Sequence, residues 1–477
     1  MQIFDRILAA RGLSRKTMGA FLLPDYNSRH DPFLLPDMDA AVKRLILAHK
    51  NNEKIVVYGD YDIDGLTATA LILDAFKSFG FNNVRSIIPS RFVDGYGLTE
   101  SAIDDIAKCG DSLILTVDCG SLSNKEITKA NKLGIDVIVT DHHNAALIQP
   151  PAIAVVNPKR ADSKYPFLEL AGVGVAFKLV QALQMQLPGL PTGTEKWLLD
   201  LVALGTVCDI VPLVDENRIY AFWGLKVLAK HRRVGLAALL KVSRSNINQI
   251  TAKTLGFVLG PRMNAAGRLE TAQHSLDLLT ASDRALALEL AHYLDELNSQ
   301  RRQEQSIILK EATKQAENYS SDDVLVLSGP SWNCGIVGIV ASKILEKYHK
   351  PAFVLQEDGA EAHGSARSFG DFNVADAVRS CKDVIISGGG HNLAAGVTLP
   401  TENIDIFRKR INEFYKSLKL NNQESLLLPH EDTVAYLNEI NEGLFELIGQ
   451  LEPFGNGNPQ PILKTENLVV KNVRKMG

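Results

Sequence analysis

The chain alternates short, wholly apolar runs with longer segments whose apolar residues recur at helical spacing. Ile55-Val56-Val57-Tyr58, Leu113-Ile114-Leu115-Thr116-Val117, Val137-Ile138-Val139-Thr140 and a run near 153 are of the first kind, and Thr67 to Ser78 is helix-like. Runs apolar on both faces predict strands buried within a parallel sheet, and their alternation with helices predicts βαβ units up to about residue 215. From Ala281 to about Tyr319 there is no proline or glycine, and Ala, Leu, Glu, Gln and Lys dominate. That stretch predicts one long helix connecting two lobes. A second α/β unit follows, with strands predicted at Val324 to Leu327 and Ala352 to Leu355, a helix at Gly335 to Tyr348, and a strand-like run at Val384-Ile385-Ile386.

Composition narrows the setting. With 477 residues, 45% hydrophobic and 22% charged, the chain can bury large cores and is expected to split into two or more domains. Its five cysteines form no CxxC pair, which argues against a disulfide framework or a zinc site and points to a reducing cytoplasm. The N-terminus lacks the pattern of a secretory signal, and no apolar run is long enough to span a bilayer. A net charge of −4 argues against a nucleic-acid partner. That argument weakens if carboxylates are neutralised by bound cations, and basic clusters remain at Lys230-His231-Arg232-Arg233, Arg301-Arg302 and Arg408-Lys409-Arg410. Each cluster also reads as a solvated face.

The predicted strands end in acids and imidazoles. Gly59-Asp60-Tyr61-Asp62-Ile63-Asp64-Gly65 follows the first, Asp118-Cys119-Gly120 the second and Asp141-His142-His143 the third. Ligands of α/β folds sit just beyond the carboxyl ends of their strands. Asp60, Asp62 and Asp64 repel one another unless a cation lies between them, and an oxygen-rich cluster with imidazoles suits manganese or magnesium better than zinc. Alone, the cluster reads equally as a solvated loop or a calcium-type turn. Asp118 is a natural bridge between two metals. The apolar stretch Leu198 to Val207 leads into Asp209, which either completes the shell or caps a helix near Gly205 and Thr206.

In the second unit, an extended His363 to Ser368 puts His363, Ser365 and Arg367 on one face, where hydroxyl and guanidinium can grip a phosphate. An ordinary half-exposed strand gives the same alternation. Ser387-Gly388-Gly389-Gly390-His391 allows close backbone approach and is either an anion nest or a turn. Arg262 and Arg268 in Gly260-Pro261-Arg262-Met263-Asn264-Ala265-Ala266-Gly267-Arg268 either reach a cleft between lobes or form salt bridges.

GDYDIDG at 59–65, VDCG at 117–120, DHH at 141–143 and GTVCD at 205–209 resemble the four motifs of the DHH phosphoesterases, with the first in the form of the RecJ branch. GPRMNAAGR at 260–268 matches too, and HGSARS at 363–368 and SGGGHNLAAG at 387–396 resemble the DHH-associated domain. The likeness runs from the Asp31 to Asp37 segment to Pro453-Phe454-Gly455-Asn456-Gly457-Asn458-Pro459. The resemblance implies two α/β lobes, a DHH domain with a parallel sheet and a smaller DHH-associated domain, joined by a long helix across a cleft. The expected divisions are an N-terminal segment 1–45, a DHH catalytic domain 46–215, a helical region with the connector helix 216–320, a substrate-binding domain 321–425, and 426–477 as the start of an incomplete OB-type domain.

The resemblance further implies two Mn2+ or Mg2+ ions, one held by Asp60, Asp62 and Asp118 and the other by Asp64, Asp118, His142 and Asp209, with His143 beside the scissile phosphate. Two cations about 3.5 to 4 Å apart activate a shared water and neutralise phosphoryl charge during in-line displacement. Asp118 and His143 are thus the expected catalytic residues, and Arg262, Arg268, Ser365, Arg367, His391, Gly389 and Gly390 the expected substrate contacts. The implied activity is removal of nucleotides from the 5′ end of single-stranded DNA in repair and recombination, with a single-strand-binding protein and a helicase as partners and no membrane. The alternatives are a phosphodiesterase for short oligonucleotides or cyclic dinucleotides, and a non-catalytic scaffold. Two departures stand out: Asn333 follows Trp332 where the family commonly has histidine, and the shortened OB-type region predicts weaker grip with intact chemistry.

Overall fold

The computed structural model describes residues 2–474 apart from 92–94, 96, 248, 421–425 and 427–429. The division expected near 425 and the chain's last residues lie outside these. Two compact units emerge: residues 1–296 together with 431–477, and residues 297–430.

The first unit is built on five parallel strands, β1 (Ile55–Tyr58), β2 (Val84–Ile87), β3 (Leu113–Val117), β4 (Asp136–Thr140) and β5 (Ala154–Val156), in the order β2-β1-β3-β4-β5. One face of the sheet, including Val56, Tyr58, Ile114, Val137 and Val139, packs with Ile103, Ile106 and Ile127 from the helices Glu100–Lys108 and Asn124–Lys132. The helices Ile63–Phe79 and Gly172–Gln184 contact the same strands, and the period-two alternation assigns them the other face. Every residue of β1 and β3 is buried. Each buried aliphatic side chain contributes about 1.5–3 kcal/mol, so two-sided burial decides that these short runs are strands. From β1 the chain runs outward to β2 and returns on the opposite side as β3. The carboxyl ends of β1 and β3 therefore flank a topological switch point, where such sheets leave a crevice.

The stretch leading to Asp209 is a helix, Leu199–Cys208, packed between Ile63–Phe79 and Asp215–Leu228. The long helix runs Arg284–Asn318, 35 residues. It starts just after Asp283, whose Oδ1 accepts the Leu286 N–H at 2.8 Å. The division between units falls within it, between 296 and 297.

The second unit carries a mixed sheet of β6 (Leu325–Gly329), β7 (Ala352–Asp358), β8 (Glu361–Arg367), β9 (Ser387–His391) and β10 (Ala394–Pro400), ordered β6-β7-β8-β10-β9. β6 and β7 are parallel, joined through the helix Cys334–Tyr348, and the remaining pairs are antiparallel. Val384 to Ile386, expected to be a strand, runs from the end of a turn through irregular backbone, and the glycine run expected to be a nest or turn is itself the edge strand β9. The reason is contact distance. A Cβ on Gly388 would lie 2.5 Å from Val378 Cγ1, and one on Gly390 2.4 Å from the Ala394 carbonyl oxygen. Positions 388 and 390 therefore require glycine, one against the Val374–Ser380 helix and the other against β10.

The two ends of the first unit's sequence pack together. Ile3, Phe4, Ile7 and Leu8 of the helix Ile3–Ala10 form one core with Ala435, Leu444 and Leu451. Two short strands there, β11 (Thr433–Val434) and β12 (Leu463–Lys464), pair in parallel. No helix among the described residues is long and apolar enough to cross a membrane.

Candidate metal centre and phosphate-binding strands

The motif after β1 is a strand-to-helix turn. Asp62 caps the helix Ile63–Phe79, its Oδ1 accepting the N–H groups of Asp64 at 2.9 Å and Gly65 at 3.1 Å. Gly65 permits the turn, because a Cβ there would lie 2.5 Å from the Asp60 backbone nitrogen. Asp118, past the end of β3, adopts a left-handed φ of 62°, which aspartate tolerates better than most residues. Asp209 is the C-cap of Leu199–Cys208, a position that still brings its carboxylate beside Asp64 and His142.

Ligand atoms of Asp60, Asp62 and Asp118 lie within 4.8 Å of one another, as do those of Asp64, His142 and Asp209, and those of Asp118, His142 and His143. Three strand ends and one helix end thus converge on the switch point. Burial, reinforced by the charge of Asp62, pushes the Asp60 carboxyl up to about 8 and that of Asp64 to about 7. Burial and the charge of Asp64 push Asp209 to about 9 and raise Asp118 well above the usual carboxylate range. Burial and neighbouring His143 depress His142 to about 3, so its ring is neutral. Its Nε2 lies 3.2 Å from Asp118 Oδ1, 3.6 Å from Asp209 Oδ2 and 3.7 Å from Asp64 Oδ2, without a hydrogen bond of acceptable geometry.

These residues fit divalent cations. Carboxylates that resist joint ionisation and a neutral ring nitrogen among them are the surroundings that a bound cation completes. The predominance of oxygen selects a hard ion such as Mn2+ or Mg2+.

Sequence reasoning gave Asp141 no role. It is buried, and its Oδ1 accepts the backbone N–H of His142 at 2.7 Å and of His143 at 3.1 Å, with His143 Nδ1 at 2.9 Å. Burial works against charge on both partners, yet their pairing holds Asp141 well below the ordinary carboxylate range and carries His143 to about 9. The DHH run itself was the available signal. Gly172 was missed as well. The N–H groups of Gly172 and Val173, at the start of Gly172–Gln184, donate to Asp64 Oδ2 at 2.6 Å and Oδ1 at 2.9 Å. A Cβ on Gly172 would lie 2.3 Å from Asp118 Oδ1. Its signal was a pair of glycines, 172 and 174, opening an apolar helix.

Arg262 and Arg268 lie on the helix Gly260–Leu269 of the first unit. Arg262 is engaged within that unit, its Nε donating to Asp295 at 2.7 Å and Nη1 to the Val258 carbonyl at 2.8 Å. In the second unit, Ser365 and Arg367 share a face of β8 against the Cys334–Tyr348 helix, where a Cβ on Gly338 would approach Arg367 Nη2 to 3.2 Å and Ser365 Oγ to 3.3 Å. The register aligns Arg367 with Ala394 and His391, and Ser365 with Gly396 and Gly389. Small residues on the central strand leave an open floor between Arg367 and His391, about 10 Å apart at two strand spacings. Gly390 points to the opposite face of β9. Asn333 caps the Cys334–Tyr348 helix by accepting the Gly335 N–H at 2.9 Å, and its Nδ2 donates to Glu304 at 3.3 Å.

A parallel sheet with acids and paired histidines at its switch point, followed by a second, mixed-sheet unit, defines a DHH-type protein. Accordingly, residues 54–206 match the DHH family, N-terminal domain, residues 321–417 the DHHA1 domain, and residues 432–477 the RecJ OB domain. The single-stranded-DNA-specific exonuclease RecJ of Bacillus subtilis is 41% identical over 451 residues, 94% of this chain and 56% of that relative. The RecJ of Haemophilus influenzae is 35% identical over 482 residues, 97% of this chain and 83% of that relative. The chain belongs to the RecJ family. The crystal structure of Thermus thermophilus RecJ in complex with Mn2+ superposes with a TM-score of 0.82 at 29% identity, covering 97% of this chain and 65% of that one. A structure of the same protein with Mg2+ gives 0.73 at 28% identity, covering 96% and 63%. The chain thus spans just over half the length of its B. subtilis relative.

Proposed function

We propose that this chain is a metal-dependent exonuclease that hydrolyses single-stranded DNA from its 5′ end, with a place in DNA repair and recombination. The observation that carries the reading is the convergence of Asp60, Asp62, Asp64, Asp118, His142 and Asp209 at the switch point of a parallel sheet. The names of its relatives, single-stranded-DNA-specific exonucleases, support the substrate.

Asp60, Asp62 and Asp118 would hold one ion, and Asp64, Asp118, His142 and Asp209 the other. Bound there, such ions supply charge neutralisation at the phosphoryl oxygens and a more acidic water. The chain's own groups do the rest. Asp141 fixes the His143 ring through Nδ1. Contact with the scissile phosphate then falls to Nε2, which keeps its proton at neutral pH because of that pairing and can donate to a phosphoryl oxygen. Ser365, Arg367, His391 and Gly389 would grip the terminal nucleotide from one face, Arg through its planar fork, and Gly390, turned to the other face, would contribute backbone only. Arg262 and Arg268 would add to the grip, Arg262 through Nη2 given what its other nitrogens do. All five cysteines are free, which suits a reducing cytoplasm.

The test is Mn2+-dependent digestion of a long 3′-labelled single strand by the purified chain, beside matched duplex, a cyclic dinucleotide and an Asp118→Ala control. Stepwise loss from the 5′ end that spares duplex and vanishes in the control is expected. Cleavage of the dinucleotide alone would replace the reading, and undiminished activity of Asp118→Ala would remove it.

A further inference from the structure

The segment Pro453 to Pro459 has no part in the chemistry described so far, yet it reaches the backbone beside a proposed ligand. Asp209 ends its helix, and Ile210 follows with φ of 62°. That left-handed position after a helix is ordinarily glycine or asparagine, and a β-branched residue is strained in it. The Ile210 side chain is 69% exposed, so packing does not impose the conformation. Hydrogen bonds do. Ile210 donates to the Val207 carbonyl at 3.3 Å, and its own carbonyl accepts Asn456 Nδ2 at 2.7 Å. Asn456 grips the same loop a second time, its carbonyl accepting the Leu213 N–H at 2.7 Å.

The clip is itself anchored. Gly455 and Asn458 close its turn by reciprocal backbone bonds of 2.9 and 3.1 Å. Asn458 is buried, donating to the carbonyls of Leu451 and Pro453 and accepting Arg11 Nη1 at 2.6 Å. Arg218 Nη2 holds the Glu452 carbonyl at 3.0 Å. The turn fits closely against the loop it clips: a Cβ on Gly457 would lie 3.1 Å from Pro212 Cβ, and one on Gly455 2.7 Å from Leu213 Cδ1.

We infer that Asn456 is a positioning residue of the metal centre, holding the Ile210–Leu213 loop in its strained form so that Asp209 presents its carboxylate beside His142 and Asp64. The C-terminal segment thereby sets the affinity of one ion while contributing no ligand. This rests on Asp209 being a metal ligand.

The test is a Mn2+ titration of the chelator-stripped full chain, following free Mn2+ by electron paramagnetic resonance, with apo melting temperatures recorded alongside. The parent should bind two ions. Asn456→Ala, and Asn456→Asp, which lacks the donor, should weaken one of them about tenfold or more, the usual cost of losing a ligand's support. The second ion and the apo melting temperature should stay near the parent's. Ile210→Gly, which relieves the strain that the clip restrains, should restore the weakened ion in either background. The proposal falls if both Asn456 variants bind both ions as the parent does, if Ile210→Gly fails to restore, or if both ions weaken together with the apo fold. A parent that binds no second ion removes instead the metal assignment beneath it.

Discussion

Gly172 adjoins the proposed metal centre without offering it a side chain. With 2.3 Å between a prospective Cβ and Asp118 Oδ1, Gly172→Ala must displace either the helix start or the carboxylate. Moving the helix would also break the two amide bonds to Asp64. Mn2+ affinity in this variant should fall by about tenfold or more, read by calorimetric titration, and parent-like affinity would show that Asp118 has room to move. Arg367 has a different signature. A clamp remote from the chemistry supplies binding, so Arg367→Ala should raise KM for a short single strand several-fold while kcat changes less. Equal losses in kcat and kcat/KM would place Arg367 in the chemical step instead. At this scale the ligand candidates were legible because carboxylates and imidazoles at strand ends have few other uses. Asp141, Gly172 and Asn456 were harder to read, because they act on ligands and their backbone from outside the cluster or by leaving space empty. The DHH run and the paired glycines 172 and 174 mark two of these positions without stating the role.

Among the elements, two-sided apolar runs gave β1, β3 and β4, and a stretch free of helix breakers gave Arg284–Asn318, since burial and propensity act locally there. The failure at residues 384–391 has a definite cause. Ile385 and Ile386 have strand propensity, but tertiary contact awards the pairing to the glycines, which alone fit against Val378 and Ala394. Gly388→Val should therefore dislodge β9, with a Cβ 2.5 Å from Val378 Cγ1. Affinity for single-stranded DNA, measured by fluorescence anisotropy with Ca2+ in place of Mn2+, should drop by about tenfold or more if the edge strand supplies hydrogen bonds to charged phosphates worth about 1.5–3 kcal/mol each. Mn2+ binding should be unchanged, because every proposed ligand belongs to the other unit. Unchanged DNA affinity would exclude β9 from the clamp.

Across the whole molecule the buried acids couple metal, protons and stability. Asp60, Asp64 and Asp209 titrate at about 8, 7 and 9 in the folded chain, against 3.8 ordinarily. The native state therefore holds more protons than the unfolded state between those limits. Stability is complete below the ordinary value and is lost as pH rises through about 7 to 9; His143, raised to about 9, acts in the same direction. Ions bound at the proposed ligands would replace those protons, contributing about 2.7 kcal/mol each at a hundredfold excess over Kd. The Mn2+-induced rise in Tm of the chelator-stripped chain should thus grow from about pH 6 to about pH 8.5. A flat or shrinking rise in differential scanning fluorimetry would mean that these acids are not the ones metal binds.

The pairing of the Ile3–Ala10 helix with residues 435–451 also sets an order of events during synthesis. A growing polypeptide leaves the ribosome N-terminus first, at about 5–20 residues per second, so Ile3, Phe4, Ile7 and Leu8 wait on the order of tens of seconds for Ala435, Leu444 and Leu451 to emerge. Through that interval a four-residue apolar stripe is open to chaperones, while the inserted unit, residues 297–430, has its whole sequence available to fold first.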